Sequence, residues 1–222
     1  MELRNLKHSD PLKRSADKQS DSPEYSPMDP PDAYSPPAIE EIPYDNMPVF
    51  IQKLMDDHQE FRKELELLEE VLGQLREKGL GRGSGVEEAL SSFFAFMDER
   101  ILTHHLKEER VLFPLLQQRL IEKGQRGVGD TPRTAVDILE DDHSKGMQLA
   151  AVTFNFLGLA ARLPDARSRA IVLDAALEQG RALIELLRLH MFREDTLVFV
   201  LAAKYLEPDE LSAMERAAIQ CA

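Results

Sequence analysis

The spacing of hydrophobic residues along this chain changes near residue 46. From Asn46 onward apolar side chains recur three and four positions apart, the repeat of one face of an α-helix, and chain breakers gather in a few short runs. Those breaks count out the helices. The first is expected over about residues 48–78, with Leu54, Phe61, Leu65, Leu68 and Leu72 on one face, and stops at the run GLGRGSG. The second opens at Ser84, where Ser84 and Glu87 have capping-box spacing, and reaches about Lys123. Pro114 interrupts it with its ring set against the carbonyl of Arg110, so a kink is expected there that shapes the approach to a nearby site. A third begins at Thr131, with Pro132 at the first helical position, and stops near Leu163 and Pro164. The fourth covers about residues 166–205, and Glu207-Pro208 starts a short closing helix through Leu211 and Met214. Helices of about 30 to 40 residues, each ~45 to 60 Å long, joined by short loops, predict an all-α, antiparallel up-down four-helix bundle with a short C-terminal helix.

The residues before this region are of another kind. Eight of the thirteen prolines fall at or before Pro43, among Ser, Asp and Tyr, and such a segment buries too little apolar surface to fold alone. Residues 1–45 are therefore expected to be a disordered Pro-rich arm, and 46–222 the bundle domain. His8 lies in the arm and is set aside.

Bulk composition narrows the chemistry. A formal charge of −13 repels phosphate backbones and anionic lipid, so neither nucleic acid nor membrane is an expected partner. The sequence has no apolar run of membrane-spanning length and no apolar segment near Met1, which points to a cytoplasmic protein. The single cysteine, Cys221, rules out a disulfide within the chain, leaving nitrogen and oxygen as metal ligands.

Five histidines remain in the helical region, and their placement is the most informative feature of the sequence. His58 shares a face with Leu54, Phe61 and Leu65; His143 shares one with Val136, Leu139, Ala150 and Phe154; His190 shares one with Leu183, Leu186, Leu187 and Leu197. His104 and Glu108 sit in the middle of a stripe of Met97, Ile101, Leu112 and Leu115. His104 is followed four residues on by Glu108, and His190 by Glu194, a spacing that puts both side chains on one helix face. Buried carboxylates need a counter-charge, and a cation among them supplies it.

The two halves also repeat. Leu54-Met55-Asp56-Asp57-His58 recurs as Leu139-Glu140-Asp141-Asp142-His143, and the segment from His104 to Phe113 recurs from His190 to Phe199. Each half thus offers two histidines and one glutamate, which suits two adjacent ions bridged by both carboxylates. His105 rivals His104, and Glu109 rivals Glu108, because that pair has the same spacing; the stripe and the repeat favour His104 and Glu108.

HHLKEERVLFP and HMFREDTLVF, with DDH in the two preceding helices, resemble the hemerythrin-like HHE cation-binding family over about residues 46–206. The resemblance implies a four-helix bundle around a non-haem di-iron centre. His58, His104, His143 and His190 would be terminal ligands, with Glu108 and Glu194 bridging. Dioxygen carriers of the family place a second histidine four residues after the third-helix one, where this chain has Met147, and a bridging aspartate where it has Asp195, an alternative to Glu194. Four histidines with two glutamates look more like the branch that repairs iron-sulfur clusters and responds to nitric oxide. That branch carries an N-terminal cysteine which this arm lacks.

Mixed imidazole and carboxylate ligation suits iron, with manganese or zinc as alternatives, whereas calcium and magnesium prefer oxygen alone. No HExxH motif is present, and only Glu140-x-x-His143 fits the ferritin-like plan, which needs two such pairs. Glu64, Glu66, Glu69 and Glu70 read as a solvated helix surface, and Phe93, Phe94, Phe96, Phe154, Phe156 and Leu157 as packing. The expected function is a non-haem di-iron binding protein that handles or senses dioxygen, nitric oxide, peroxide or iron. A di-iron oxidoreductase that degrades peroxide, with Met147 leaving the site open, is one alternative; a metal-free helical interaction bundle is another. Whether the chain is an enzyme is left open by the sequence, as is any protein partner of the arm.

Overall fold

Thirty residues from Val49 to Lys78 wind into α1, and Gly79, with φ of 69°, ends it in the left-handed half of backbone space that a side chain disfavours. The computed structural model describes residues 41–80, 85–127 and 133–221. Helix α2, residues 86–122, alternates α-helical segments (Val86–Phe96, Leu102–Lys107, Phe113–Glu122) with π-helical turns at Met97–Ile101 and Glu108–Leu112. Helix α3 is Ala135–Arg162. Helix α4, residues 166–205, runs through Ala166–Arg193, a π-turn at Glu194–Val198, and Phe199–Tyr205. Helix α5, Pro208–Ala218, closes the chain with Pro208 in its first turn and a capping box between Glu207 and Glu210. Among the described residues there is no strand.

Two expected starts are corrected. Ser84 lies outside the described residues, and α2 begins at Val86 behind Gly85 at φ 70°. Thr131 and Pro132 also lie outside them; α3 begins at Ala135, because Thr134 caps it. The Thr134 hydroxyl accepts from the Val136 amide at 3.2 Å, and Asp137 accepts from the Thr134 amide at 2.6 Å. Most of the expected arm lies outside the described residues as well. Its last part folds with the bundle: Tyr44–Asn46 forms a short 3-10 turn, Tyr44 donates to Asp56, and Ile42 packs on the core.

The π-turns answer a geometric problem. Buried residues of α2 recur every four positions at His104, Glu108, Leu112, Leu116 and Leu120, and those of α4 at His190, Glu194, Val198 and Ala202. An α-helix advances about 100° per residue, so each step of four overshoots by ~40° and the stripe would drift off the core. A π-turn is wider and cancels the drift. Phe113 N–H accordingly reaches the carbonyl of Glu108, and Phe199 N–H that of Glu194, five residues back. The distortion expected from Pro114 is present as one such turn, yet α4 builds the same turn with Val200 where α2 has Pro114. The four-residue spacing of the buried stripe accounts for both turns, which a proline beside only one of them cannot.

The core falls into two apolar clusters, one around Leu54, Leu112, Phe113, Leu139 and Phe199, the other around Phe61, Leu65, Ile101, Ala150, Leu183 and Leu187. Between them lies a polar layer. Phe154, placed by its spacing on the inner face of α3, is 58% exposed and packs edge-on against Phe94. Thr153 and Leu157 take the inward positions there, because the buried stripe of α3 advances in steps of seven, His143, Ala150 and Leu157 beside Gly146, Thr153 and Ala160, whereas Phe154 lies eleven residues beyond His143. Glu66, Glu69 and Glu70 are exposed and Glu64 half-buried, as a solvated face requires.

Candidate metal centre

Each of the four helices sends one histidine into the polar layer: His58 from α1, His104 from α2, His143 from α3 and His190 from α4, each no more than 3% exposed. Glu108 and Glu194 join them with no exposure at all. The imidazoles meet in pairs within each hairpin. Nε2 of His58 stands 3.1 Å from Nε2 of His104, and Nε2 of His143 stands 3.1 Å from Nε2 of His190. Two ligands about 2.1 Å from one ion and at right angles to each other lie ~3 Å apart, so the spacing matches one edge of a coordination shell.

The glutamates divide themselves between the pairs. Glu108 turns Oε1 toward His104 Nε2 at 3.3 Å and Oε2 toward His143 Nε2 at 3.4 Å. Glu194 turns Oε2 toward His58 Nε2 and Oε1 toward His190 Nε2, each at 3.2 Å. None of the four oxygens has a hydrogen-bond partner. Carboxylates stripped of water and left without donors, with imidazole nitrogens aimed at the same space, fit a pair of cations. Two groups result, His58-His104-Glu108-Glu194 and Glu108-His143-His190-Glu194, each with its ligand atoms within 4.8 Å of one another.

Outside these six residues runs a closed ring of carboxylates. Asp195 of α4 accepts from His58 Nδ1 at 2.8 Å, Asp57 of α1 from His104 Nδ1 at 3.2 Å, and Glu109 of α2 from His143 Nδ1 at 2.8 Å. Asp142 of α3 stands 3.7 Å from His190 Nδ1, close enough for attraction but long for a hydrogen bond. Each helix thus supports the histidine of the next. Three of the acids are held from outside by a cation: Asp195 by Arg62, Asp57 by Lys107 at 3.3 Å, and Asp142 by Arg193 at 2.7 Å. Asp195 and Glu109, the sequence alternatives to Glu194 and Glu108, occupy this ring and not the space between the histidines.

Electrostatics follow the same plan. Burial alone would lower His104, but the charge of Glu108 and the bond to Asp57 lift it to about 9. Burial acts likewise on His190, and Glu194 with Asp142 raises it to about 10. Glu194, which burial would raise, is held well below the usual carboxylate range by His190 and His58. Glu108 is held down by His104 and His143 against both burial and the adjacent Glu194 charge. Protons therefore occupy, in part, the role that cations would take.

His105 was a rival to His104 in the sequence; the structure buries both. Its ring is 5% exposed and lies flat on His143, with centroids 3.7 Å apart and planes 12° apart. Burial, then the like charges of His143, His190 and His104, push it well below the ordinary histidine value. Met147 is 37% exposed and faces away from the layer. Adjacent histidines in a helix sit about 100° apart, which is why one apolar stripe in the sequence did not signal the second.

A fold of this kind, four antiparallel helices that each bring one histidine to a shared layer, defines a class of cation-binding bundle. The chain belongs to the hemerythrin HHE cation binding domain family, whose profile matches residues 49–202. Over 68 residues it is 31% identical to an iron-sulfur cluster repair protein, YtfE, of Cronobacter sakazakii, a stretch that covers 31% of this chain and 27% of that protein. The chain thus matches about a quarter of the relative's length. No solved structure matches it. Among the described residues no helix is long and apolar enough to cross a membrane.

Proposed function

We propose that this chain is a non-haem di-iron protein that senses or handles a small molecule, or iron itself. One ion would be held by His58 and His104, the other by His143 and His190, with Glu108 and Glu194 bridging. One observation carries the reading: both buried glutamates split their two oxygens between the two histidine pairs. A structural salt bridge needs no such division; two ions a few ångströms apart do. Two adjacent irons supply electrons and coordination positions for a small guest such as dioxygen, nitric oxide or peroxide. The protein contributes a dry layer that fixes the rings of His58, His104 and His143 through their Nδ1 atoms and keeps the bridging carboxylates ionised. Similarity to an iron-sulfur repair protein favours iron over manganese or zinc and makes iron delivery one form the activity can take.

Elemental analysis with an absorption spectrum of freshly purified protein tests this. Two irons per chain are expected, and His58→Ala and Glu108→Ala are each expected to lose most of them. Full iron content in either variant would remove that residue from the ligand set.

A further inference from the structure

A small cavity adjoins the histidine layer. It is lined by Phe61, Leu65, Ile101, Leu187 and Met191 together with His58, His104, His190 and His105, and its volume of about 10 Å³ accommodates the centre of one water-sized guest. Glu108 and Glu194 do not reach it. They follow their histidines by four residues and enter from the Leu112–Phe199 side, whereas Ile101 and Leu187 precede those histidines by three. The cavity therefore lies on the side of the histidine layer away from the two carboxylates.

His105 is the polar group in that wall which the di-iron reading leaves unused. Its Nδ1 is buried without a hydrogen-bond partner. Although nitrogens of His105, His143 and His190 come within 4.8 Å of one another, His105 is stacked parallel to His143. An imidazole donates to a metal in its own plane, and a single ion cannot lie in the planes of two rings stacked 12° from parallel with centroids 3.7 Å apart. Packing alone does not account for the ring either, since an apolar side chain would fill the space without leaving a nitrogen unsatisfied.

We propose that His105 is a positioning residue for the guest: its ring hydrogen-bonds a diatomic molecule held in this cavity beside the two ions, and it is not itself a ligand. The proposal rests on the di-iron reading, and one experiment separates the two. Reduced, iron-loaded protein is exposed to nitric oxide, and the N–O stretch is read by infrared spectroscopy and the release rate by stopped flow, for wild type, His105→Leu and His105→Gln. Iron content and circular dichroism should match wild type in both variants. His105→Leu should move the N–O stretch to higher wavenumber and speed release about fivefold, the worth of one ordinary hydrogen bond. His105→Gln, which keeps a donor, should recover part of both changes. An unchanged stretch and rate in His105→Leu would overturn the role, and so would loss of iron, which would make the ring a ligand. Wild-type protein without iron would overturn the di-iron reading and this inference with it.

Discussion

A carboxylate against Nδ1 of an imidazole sets which nitrogen carries the proton and which way the ring faces, and here Asp195, Asp57 and Glu109 do this for three of the four rings, while Asp142 stands 3.7 Å from the fourth. Their supports are unequal. Asp57 and Asp195 are each fixed by a cation, whereas Glu109 is 40% exposed and, among the described residues, meets no lysine or arginine. Asp57→Asn is therefore expected to weaken metal binding about 10- to 100-fold, in line with losses seen for such outer partners. Glu109→Gln should cost distinctly less, because its bond is exposed to water. Competition titration with a metal-sensitive chelator checks both, and equal losses would show that exposure does not matter here.

The same residues make the metal-free protein sensitive to pH. His104 and His190 are raised from an ordinary 6.5 to about 9 and about 10, so their contribution to stability is complete below 6.5 and is lost as pH rises through those values. Glu108 and Glu194 are lowered from 4.5, so theirs is complete above 4.5 and is lost as pH falls below it. Metal-free protein should melt highest between about pH 5 and 6.5 and lose ~5 °C or more toward pH 10. Bound ions displace those protons, so the metal-loaded protein should lack the alkaline decline. Melting curves of a chelator-treated sample and a loaded one read this directly; a metal-free midpoint that climbs steadily to pH 10 would refute it.

At the scale of the helix, the π-turns decide whether a four-residue repeat can face one core. If Pro114 caused the turn at Glu108–Leu112, Pro114→Ala would restore an α-helix and disturb Glu108. The matching turn at Glu194–Val198, built without a proline, says otherwise. Pro114→Ala should leave metal content unchanged and shift stability by no more than about 1 kcal/mol, since Pro114 is exposed at the start of its segment. Deleting Arg110 should remove the extra residue, rotate Leu112 and Leu116 by about 100° relative to His104, and abolish metal binding. Metal content and thermal midpoints of the two variants distinguish a turn required by the site from one imposed by proline. The helices themselves were largely legible from apolar periodicity. What was not legible was the local winding, because π and α turns differ in hydrogen bonding and not in residue type.

Across the whole molecule, close approach of α1 to α4 depends on one glycine. A Cβ on Gly180 would stand 2.7 Å from Cδ1 of Leu72, which is 1% exposed, and 3.5 Å from Cγ2 of Thr153. Gly180→Ala adds helix propensity worth at most about 1 kcal/mol but overpacks a filled core at a cost of ~1–3 kcal/mol, so the net effect is destabilising. Gly73, also helical, has nothing within 4 Å of such a Cβ, and Gly73→Ala should stabilise by about 0.5–1 kcal/mol. Denaturant unfolding of both variants tests the contrast; stabilisation by Gly180→Ala would mean that Leu72 moves freely.

The sequence by itself determined the class of fold and which imidazole and carboxylate side chains recur at repeated places on inward faces, because helical period and a twofold repeat are both written in residue spacing. Only the tertiary structure decided that each glutamate faces both histidine pairs, that Glu109 and Asp195 support rings where Glu108 and Glu194 face the centre, and that His105 is buried beside them. Those outcomes depend on how far each helix has turned when it reaches the shared layer. A register of that kind is set by packing among four helices at once, and no single helix's sequence contains it.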